Sequence, residues 1–139
     1  MTRNPKLVSP EQPISRAAQI MRDSDVGMVP VVKDLKSQTL VGVITDRDIT
    51  IRCVADTHGG PCTVGSHMTR DNLETVGEDA EAGAVLNAMR RRELRRIPVT
   101  GTDGKVIGVI AQADIAMTDE ISKEQVGEVV KAISEPVRH

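Results

Sequence analysis

The sequence predicts an α/β (α+β) protein made of two similar subdomains, each with the element order strand–helix–strand–strand–helix. The phrase that begins Gly42-Val43-Ile44 returns at Gly108-Val109-Ile110, and an internal repeat of this kind decides the architecture. Val and Ile far outnumber Leu, a β-branched bias that favours buried strands. Because a half of about 65 residues would be marginally stable alone, we expect the two halves to pack together with pseudo-twofold symmetry.

Composition indicates an ordinary globular chain. The 139 residues carry a formal net charge of −2, which gives no overall attraction to nucleic acid or to an anionic membrane. No apolar run is long enough to span a bilayer, and the first residues lack the apolar core of a signal peptide, so we expect a cytoplasmic protein. Phe, Trp and Tyr are absent, so a bound base would have to lie between aliphatic side chains.

Residues 1–60 are predicted to form the first subdomain. The segment 6–9 should be extended because Pro10 follows it, and Pro13 suits the first position of a helix. That helix would bury one apolar stripe with helical spacing, formed by Ile14, Ala17, Ala18 and Met21.

Two strands and a second helix complete the first subdomain. The run 26–32 is short and contains Pro30, which indicates an edge strand or a short strand. The run 39–45 is typical of a buried strand. Asp46 is the expected N-cap of the helix that follows, which should continue to about Val54.

The second subdomain is predicted over 68–120, after a linker at 61–67. Its expected elements are a helix over 81–92, strands over 96–99 and 106–111, and a helix that begins near Asp114. A C-terminal helix and tail are predicted over 121–139, because Ser122 and Gln125 fit a capping box.

This order of elements, with these duplicated words, resembles the CBS domain, named after cystathionine β-synthase, and two in tandem resemble a Bateman module. The resemblance is carried by the Met-Thr openings of both halves, by Ala17-Ala18 with Met21, by Val29-Pro30-Val31-Val32, by the phrase 40–49, and by their second-half partners. It covers nearly the whole chain and leaves no catalytic domain over. It therefore implies a stand-alone CBS pair, a family in which two modules commonly pack into a disc-like homodimer. The helices after Asp48 and Asp114 are the candidate dimer contacts.

The end of the first repeated phrase carries side chains suited to a nucleotide. Thr45 offers a hydroxyl at a helix start, where free N–H groups and the helix dipole attract phosphate. Asp48 lies one turn further and can accept hydrogen bonds from both ribose hydroxyls, while Arg47 adds a cation for phosphate. The resemblance implies the same roles for Thr45 and Asp48, and it implies that adenine lies near Val8, Met28, Val29 and Pro30.

The second copy of the phrase departs from this pattern. Asp114 keeps the carboxylate, but Ala111 replaces the threonine hydroxyl. The phosphate side is therefore depleted unless Arg95 and Arg96 compensate. We expect two unequal sites, with the Asp48 site favoured or with two ligands sharing the arginine pair across the cleft. The alternative is that both aspartates only cap helix N-termini.

A basic cluster precedes the second predicted hairpin. Its members are Arg90, Arg91, Arg92, Arg95 and Arg96. A solvated face is the usual reason for such a run, with phosphate binding or a dimer contact as alternatives. DNA binding is disfavoured because no recognition-helix motif accompanies the cluster.

Two cysteines and two histidines surround the predicted linker: Cys53, His58, Cys62 and His67. Cysteine and histidine are the ligands of tetrahedral zinc, but this spacing matches none of the usual zinc fingers. We interpret Cys53 as a small buried hydrophobic residue and the other three as loop residues, and predict no metal site. No structural disulfide is expected in a reducing compartment.

Catalytic motifs are missing from the sequence: it has no P-loop, no dinucleotide-binding fingerprint and no supported Ser-His-Asp order. We therefore predict a regulatory module, not an enzyme, that binds an adenosine-containing nucleotide such as AMP, ADP or ATP in the cleft between its halves. It should need no cofactor and act through a homodimer or a regulated protein partner, without membrane or nucleic acid. One alternative is a ligand-free dimerising protein that presents the Arg90–Arg96 face. A weaker alternative is a metal or redox responder that uses Cys53 and Cys62.

Overall fold

The computed structural model describes residues 1–56, 62–71 and 73–116. The elements of the first half are β1 (Thr2–Arg3), α1 (Ile14–Ser24), β2 (Met28–Val32), β3 (Leu40–Thr45) and α2 (Asp46–Asp48), which continues as a π-helical segment (Ile49–Val54). Those of the second half are α3 (Val64–His67), β4 (Val76–Gly77), α4 (Ala82–Arg92), β5 (Arg96–Thr100), β6 (Val106–Ala111) and α5 (Gln112–Ala116). His58 and the predicted C-terminal helix at 121–139 lie outside the described residues.

Two antiparallel hairpins with the same register form the centre of the fold. Strand β2 pairs with β3, placing Val29 opposite Ile44, and β5 pairs with β6, placing Ile97 opposite Ile110. Both hairpins shift register at the equivalent point, after Val31 in one and after Val99 in the other. The duplication predicted from the sequence is therefore present in the backbone pairing itself.

The opening segments of the two halves are exchanged. Strand β1 pairs with β6 of the second half, while Thr69, near the start of the second half, bridges to Val43 in β3. A glycine lies at each place where an opening segment crosses to the other half, because a side chain there would collide with the crossing backbone. A Cβ on Gly42 would lie 2.7 Å from the Thr69 carbonyl oxygen, and one on Gly108 would lie 2.9 Å from the Thr2 carbonyl oxygen. Backbone contacts at two places thus tie the halves together.

Helix α1 starts directly after Pro13 and ends where Asp25 adopts a left-handed conformation with φ 53°. Its buried face differs from the predicted stripe, because Ile20 is buried and Ala18 is exposed. The spacing of three between Ile14, Ala17 and Ile20 keeps all three on the side that faces the sheet.

Within the described ranges, no helix is both long and apolar enough to cross a membrane.

Aliphatic side chains build one hydrophobic core in each half. The first core takes Val64 and Met68 from the beginning of the second half, in addition to residues of α1, β2 and β3. The second core lies between α4, β5 and α5. Fully burying a Val, Leu, Ile or Met side chain contributes about 1.5–3 kcal/mol, so the shared first core stabilises the association of the halves as well as the first half.

Candidate functional site

A cavity of about 300 Å³ lies between the two halves. Its first-half lining comes from α1 and β2 and from the turn between them: Ile20, Ser24, Val26, Met28 and Pro30. The second half contributes Arg96, Val109 and Ala111. The exchanged N-terminal segment closes the cavity with Thr2, Asn4, Pro5 and Lys6. Its volume is at the lower end of the range for pockets that bind small molecules.

The cavity combines aliphatic walls with two cations. Val26, Met28 and Val109 are half-buried and offer apolar surface to a flat heterocycle. Lys6 and Arg96 offer positive charge. A terminal nitrogen of Arg96 also approaches the first half, since a Cβ on Gly27 would lie 3.6 Å from it. The residue of the first repeat that corresponds to Arg96 is the uncharged Met28. The two halves therefore contribute different chemistry to one cavity.

Asp114 lies beside this cavity and keeps part of its hydrogen-bonding capacity. Its Oδ2 atom accepts a hydrogen bond of 2.8 Å from the backbone N–H of the cavity residue Ala111, and the amino group of Met1 is 3.5 Å from the same oxygen. Among the residues that the structure describes, nothing donates a hydrogen bond to Oδ1. The side chain is 36% exposed, so Oδ1 remains available to a ligand hydroxyl.

Asp48, the equivalent residue in the first half, has protein contacts at both of its carboxylate oxygens. It forms a capping box with Thr45: the Asp48 N–H donates to Thr45 Oγ1, and the Thr45 N–H donates to Asp48 Oδ2, each at 3.0 Å. The N-cap of α2 is therefore Thr45 and not Asp46 as predicted, because a carboxylate three residues after Thr45 can reach back to its N–H. The Thr69 hydroxyl is 3.2 Å from both carboxylate oxygens of Asp48, and Arg52 Nε is 3.8 Å from Oδ1.

The predicted ligand residues therefore separate into two groups. Met28, Pro30, Ala111 and Arg96 line the cavity, and Asp114 adjoins it. The other predicted residues lie outside the lining: Val8 and Val29 in the hydrophobic core, Thr45 and Asp48 in the capping box, and Arg47 and Arg95 exposed on the surface. For these residues a ligand role stays a prediction.

Sequence reasoning missed the residues that reach the site from a distance. Lys6 and Val109 line the cavity, and Thr69 binds Asp48. The match between the Met-Thr openings at Met1 and Met68 was visible in the sequence, but it does not reveal which half each opening contacts.

The basic cluster does not form one continuous face. Arg90, Arg91 and Arg92 occupy the last turn of α4, where positive charge interacts favourably with the helix dipole. Arg91 forms an ion pair with Glu74. Arg96 lines the cavity instead, so the cluster divides between a helix end and the site.

The cysteines and His67 come together on the side of the first core. The sulfur atoms of Cys53 and Cys62 are 2.6 Å apart, and the ligand atoms of Cys53, Cys62 and His67 all lie within 4.8 Å of one another. The interpretation of His67 as a loop residue is wrong, because it ends α3 and is buried. The hydrogen bond to Cys62, and then burial, raise the pKa of Cys53 above its ordinary value.

Comparison with known families gives a match over both halves. The family model described as CBS domain matches residues 1–54 and again residues 64–119. These two ranges correspond to the two copies of the repeat and include both aspartates.

Individual relatives cover most of the chain. Hypoxic response protein 1 of Mycobacterium tuberculosis is 31% identical over 130 residues, covering 94% of this chain and 87% of that protein. A crystal structure of Hypoxic Response Protein I with two coordinated zinc ions matches with a TM-score of 0.74, covering 84% of this chain and 92% of the other.

Two solved relatives contain adenosine compounds. The structure of CBSX2, a CBS-pair protein of Arabidopsis thaliana, in complex with AMP is 27% identical with a TM-score of 0.70, covering 84% of this chain and 89% of the other. The CBS domain pair of MJ0100 in complex with 5′-methylthioadenosine and S-adenosyl-L-methionine is 27% identical with a TM-score of 0.72, covering 84% and 88%.

Proposed function

Because this chain belongs to the CBS domain family, with two copies in tandem, we propose that it is a regulatory module that binds an adenosine-containing ligand between its halves. The observation that carries the proposal is the cavity beside Asp114, which joins aliphatic walls, two cations and a carboxylate oxygen open to a ligand. The AMP and S-adenosyl-L-methionine complexes of the CBS pairs described above support the ligand class. No catalytic role is proposed for any residue of the site.

The cavity, together with Asp114 beside it, offers suitable chemistry to each part of an adenosine ligand. The purine would lie against Val26, Met28 and Val109, since a chain without aromatic residues must hold a base by aliphatic contact. A ribose hydroxyl would donate to Asp114 Oδ1, because an ionised carboxylate is a pure acceptor. A phosphate or another charged 5′ group would lie near the cations of the cavity.

The Asp48 side is proposed as a second and weaker site. Its carboxylate accepts hydrogen bonds from Thr45 and Thr69, so a ribose would have to replace contacts that the folded protein already makes. The Asp114 side requires no such exchange. We therefore infer that the cavity beside Asp114 fills first, which reverses the order expected from the sequence.

The module would act through a homodimer. Ile51 is 49% exposed and Val54 is 62% exposed on the π-helical segment that follows Asp48. Apolar side chains exposed together on one segment are candidates for a protein contact. Ligand binding would regulate this assembly only if the two assembly states differ in their affinity for the ligand.

The direct test is calorimetry on protein freed of bound nucleotide, with AMP, ADP, ATP, 5′-methylthioadenosine and S-adenosyl-L-methionine as separate titrants. The absence of Trp and Tyr makes removal easy to verify, because residual adenine would dominate the ultraviolet spectrum. Saturable binding of at least one compound supports the proposal. A ligand at a hundred times its dissociation constant should add about 2.7 kcal/mol to the free energy of unfolding. Neither heat nor thermal shift with any of the five would reject the proposal in favour of a ligand-free interaction protein.

A further inference from the structure

We propose that Cys53, Cys62 and His67 form a binding site for a thiophilic divalent metal ion of the zinc type. Their ligand atoms lie within 4.8 Å of one another. Two thiolates and an imidazole are ligands that zinc prefers. Two thiolates would also neutralise the charge of the ion, which suits a site whose cysteines are half-buried and whose histidine is buried.

Backbone contacts hold two of the three ligands in place without any metal. The Cys62 carbonyl accepts a hydrogen bond of 3.0 Å from the N–H of Ile14, at the start of α1. The N–H of Val64 donates to Gln12 at 2.9 Å, and that of Gly65 donates to Pro10 at 2.8 Å. The segment that carries Cys62 and His67 is thus fixed against the first half before an ion enters.

The third ligand, Cys53, comes from the first half, before the segment that carries the other two ligands. Cys53 belongs to the π-helical segment, and π-helical turns are frequent at functional sites. A tetrahedral zinc ion holds two sulfur ligands about 3.8 Å apart. The sulfur atoms of Cys53 and Cys62, now 2.6 Å apart, would separate by about 1 Å on binding, which small side-chain rotations can provide. The fourth position would be left to water or another external ligand.

An ion at this position would also stabilise the segments that contact Asp48. Arg52, next to Cys53, donates to the Met68 carbonyl at 3.3 Å and lies 3.8 Å from Asp48. Met68 and Thr69 directly follow the ligand His67, and Thr69 binds Asp48. A metal would therefore join the π-helical segment to the start of the second half where both contact the carboxylate.

A disulfide between Cys53 and Cys62 is the competing use of these thiols. It would need no third group, whereas the structure places a buried imidazole within reach of both sulfur atoms. This histidine favours metal binding over a disulfide.

The test uses the full chain, reduced, treated with a chelator and free of nucleotide, titrated with Co²⁺ and then with Zn²⁺. One equivalent of cobalt should give the visible bands of a tetrahedral site and a thiolate charge-transfer band in the near ultraviolet, where no aromatic residue absorbs. Zinc should displace the cobalt, raise the melting temperature and protect both cysteines from alkylation. These readouts need no variant and do not depend on adenosine binding, so failure of one proposal leaves the other intact.

Variants then identify the ligands. Cys62→Ser and His67→Gln should each lower cobalt affinity by at least about tenfold, since each removes one of three protein ligands. Ser66→Ala is the matched control, because Ser66 lies in the same segment and bonds only Thr63 among the described residues, so its affinity should equal that of the parent. The proposal is overturned if reduced protein gives no thiolate–cobalt band, if His67→Gln binds cobalt as tightly as the parent, or if both thiols stay oxidised under reductant and take up no metal.

Discussion

The hydroxyl group of Thr69 is 3.2 Å from both carboxylate oxygens of Asp48, although 21 positions separate these residues in the sequence. Thr69 belongs to the opening segment of the second half and Asp48 to the first half. The converse contact is made by Met1, whose amino group is 3.5 Å from Asp114 of the second half. Each repeated aspartate is therefore contacted by the opening segment of the other half, and a ligand at either carboxylate would act on the junction between the halves.

Removal of the Thr69 hydroxyl should destabilise the protein. In Thr69→Val, the carboxylate of Asp48, whose side chain is only 10% exposed, loses a donor, and an under-satisfied buried acceptor costs about 1–3 kcal/mol. Urea unfolding measures this change. Thr102→Val, in the exposed turn before β6, is the control and should change the free energy of unfolding by less than about 0.5 kcal/mol. Equal stabilities for the two variants would contradict the role given to Thr69.

Asp114→Ala should weaken binding of the adenosine ligand more than Asp48→Ala does. A hydrogen bond to a charged group contributes about 1.5–3 kcal/mol, so Asp114→Ala should lower the affinity by on the order of ten- to a hundredfold. Calorimetry with the tightest of the five compounds gives the value. Asp79→Asn is an exposed control away from the cavity lining and should bind like the parent. Normal binding by Asp114→Ala with loss of binding by Asp48→Ala would assign the stronger site to Asp48 instead.

Ala111→Thr should restore to the second repeat what Thr45 provides in the first. The Ala111 N–H already donates to Asp114, and a hydroxyl on residue 111 could accept from the N–H of residue 114 to complete a capping box. Capping side chains contribute about 0.5–2 kcal/mol, measurable by chemical denaturation. Because Ala111 lines the cavity, the hydroxyl should also favour AMP over unphosphorylated adenosine. A variant less stable than the parent would show that residue 111 has no room for the added atoms.

Two glycine substitutions should change stability in opposite directions. Gly42→Ala would place a methyl group 2.7 Å from the Thr69 carbonyl oxygen, so the crossing backbones must separate at a cost of about 1–3 kcal/mol. Gly83→Ala lies in the first turn of α4, where a Cβ meets no atom within 4 Å, and should stabilise the protein by about 0.4–1 kcal/mol because Ala lowers the conformational entropy of the unfolded chain. Thermal unfolding of the two variants beside the parent checks both signs. A neutral Gly42→Ala would mean that the exchanged segment is not held closely against β3.

Ile51→Asp should dissociate the proposed homodimer. Ile51 is 49% exposed on the π-helical segment, and a carboxylate buried at a dimer interface without a partner is strongly unfavourable. Light scattering coupled to size exclusion reports the mass of the assembly. Leu35→Asp is the matched control, because Leu35 is 50% exposed in the turn between β2 and β3. Dimers of unchanged mass in both variants would exclude the π-helical segment as the contact.

Local pattern was enough to predict most elements of the repeat. The strand predicted at 106–111 has the bounds of β6, Val106–Ala111, and the predicted helix at 81–92 differs by one residue from α4 at Ala82–Arg92. Periodicity and turn chemistry act between neighbouring residues, so they are readable without knowing the fold. The predicted N-cap of α2 was one residue too late, because Asp46 and Thr45 can both cap a helix. The reciprocal bond to Asp48 decides between them.

The amino-acid sequence alone determined the duplication, the order of elements in each half and the family resemblance. These depend on repeated sequence motifs and on the secondary-structure preferences of neighbouring residues. Tertiary structure decided which opening segment crosses to which half, and so brought Thr69 to Asp48 and Lys6 to the cavity beside Ala111. It also brought Cys53, Cys62 and His67 together. The physical reason is that equivalent backbone edges can pair within a half or between halves with similar local chemistry. Only the packing of both cores selects one arrangement.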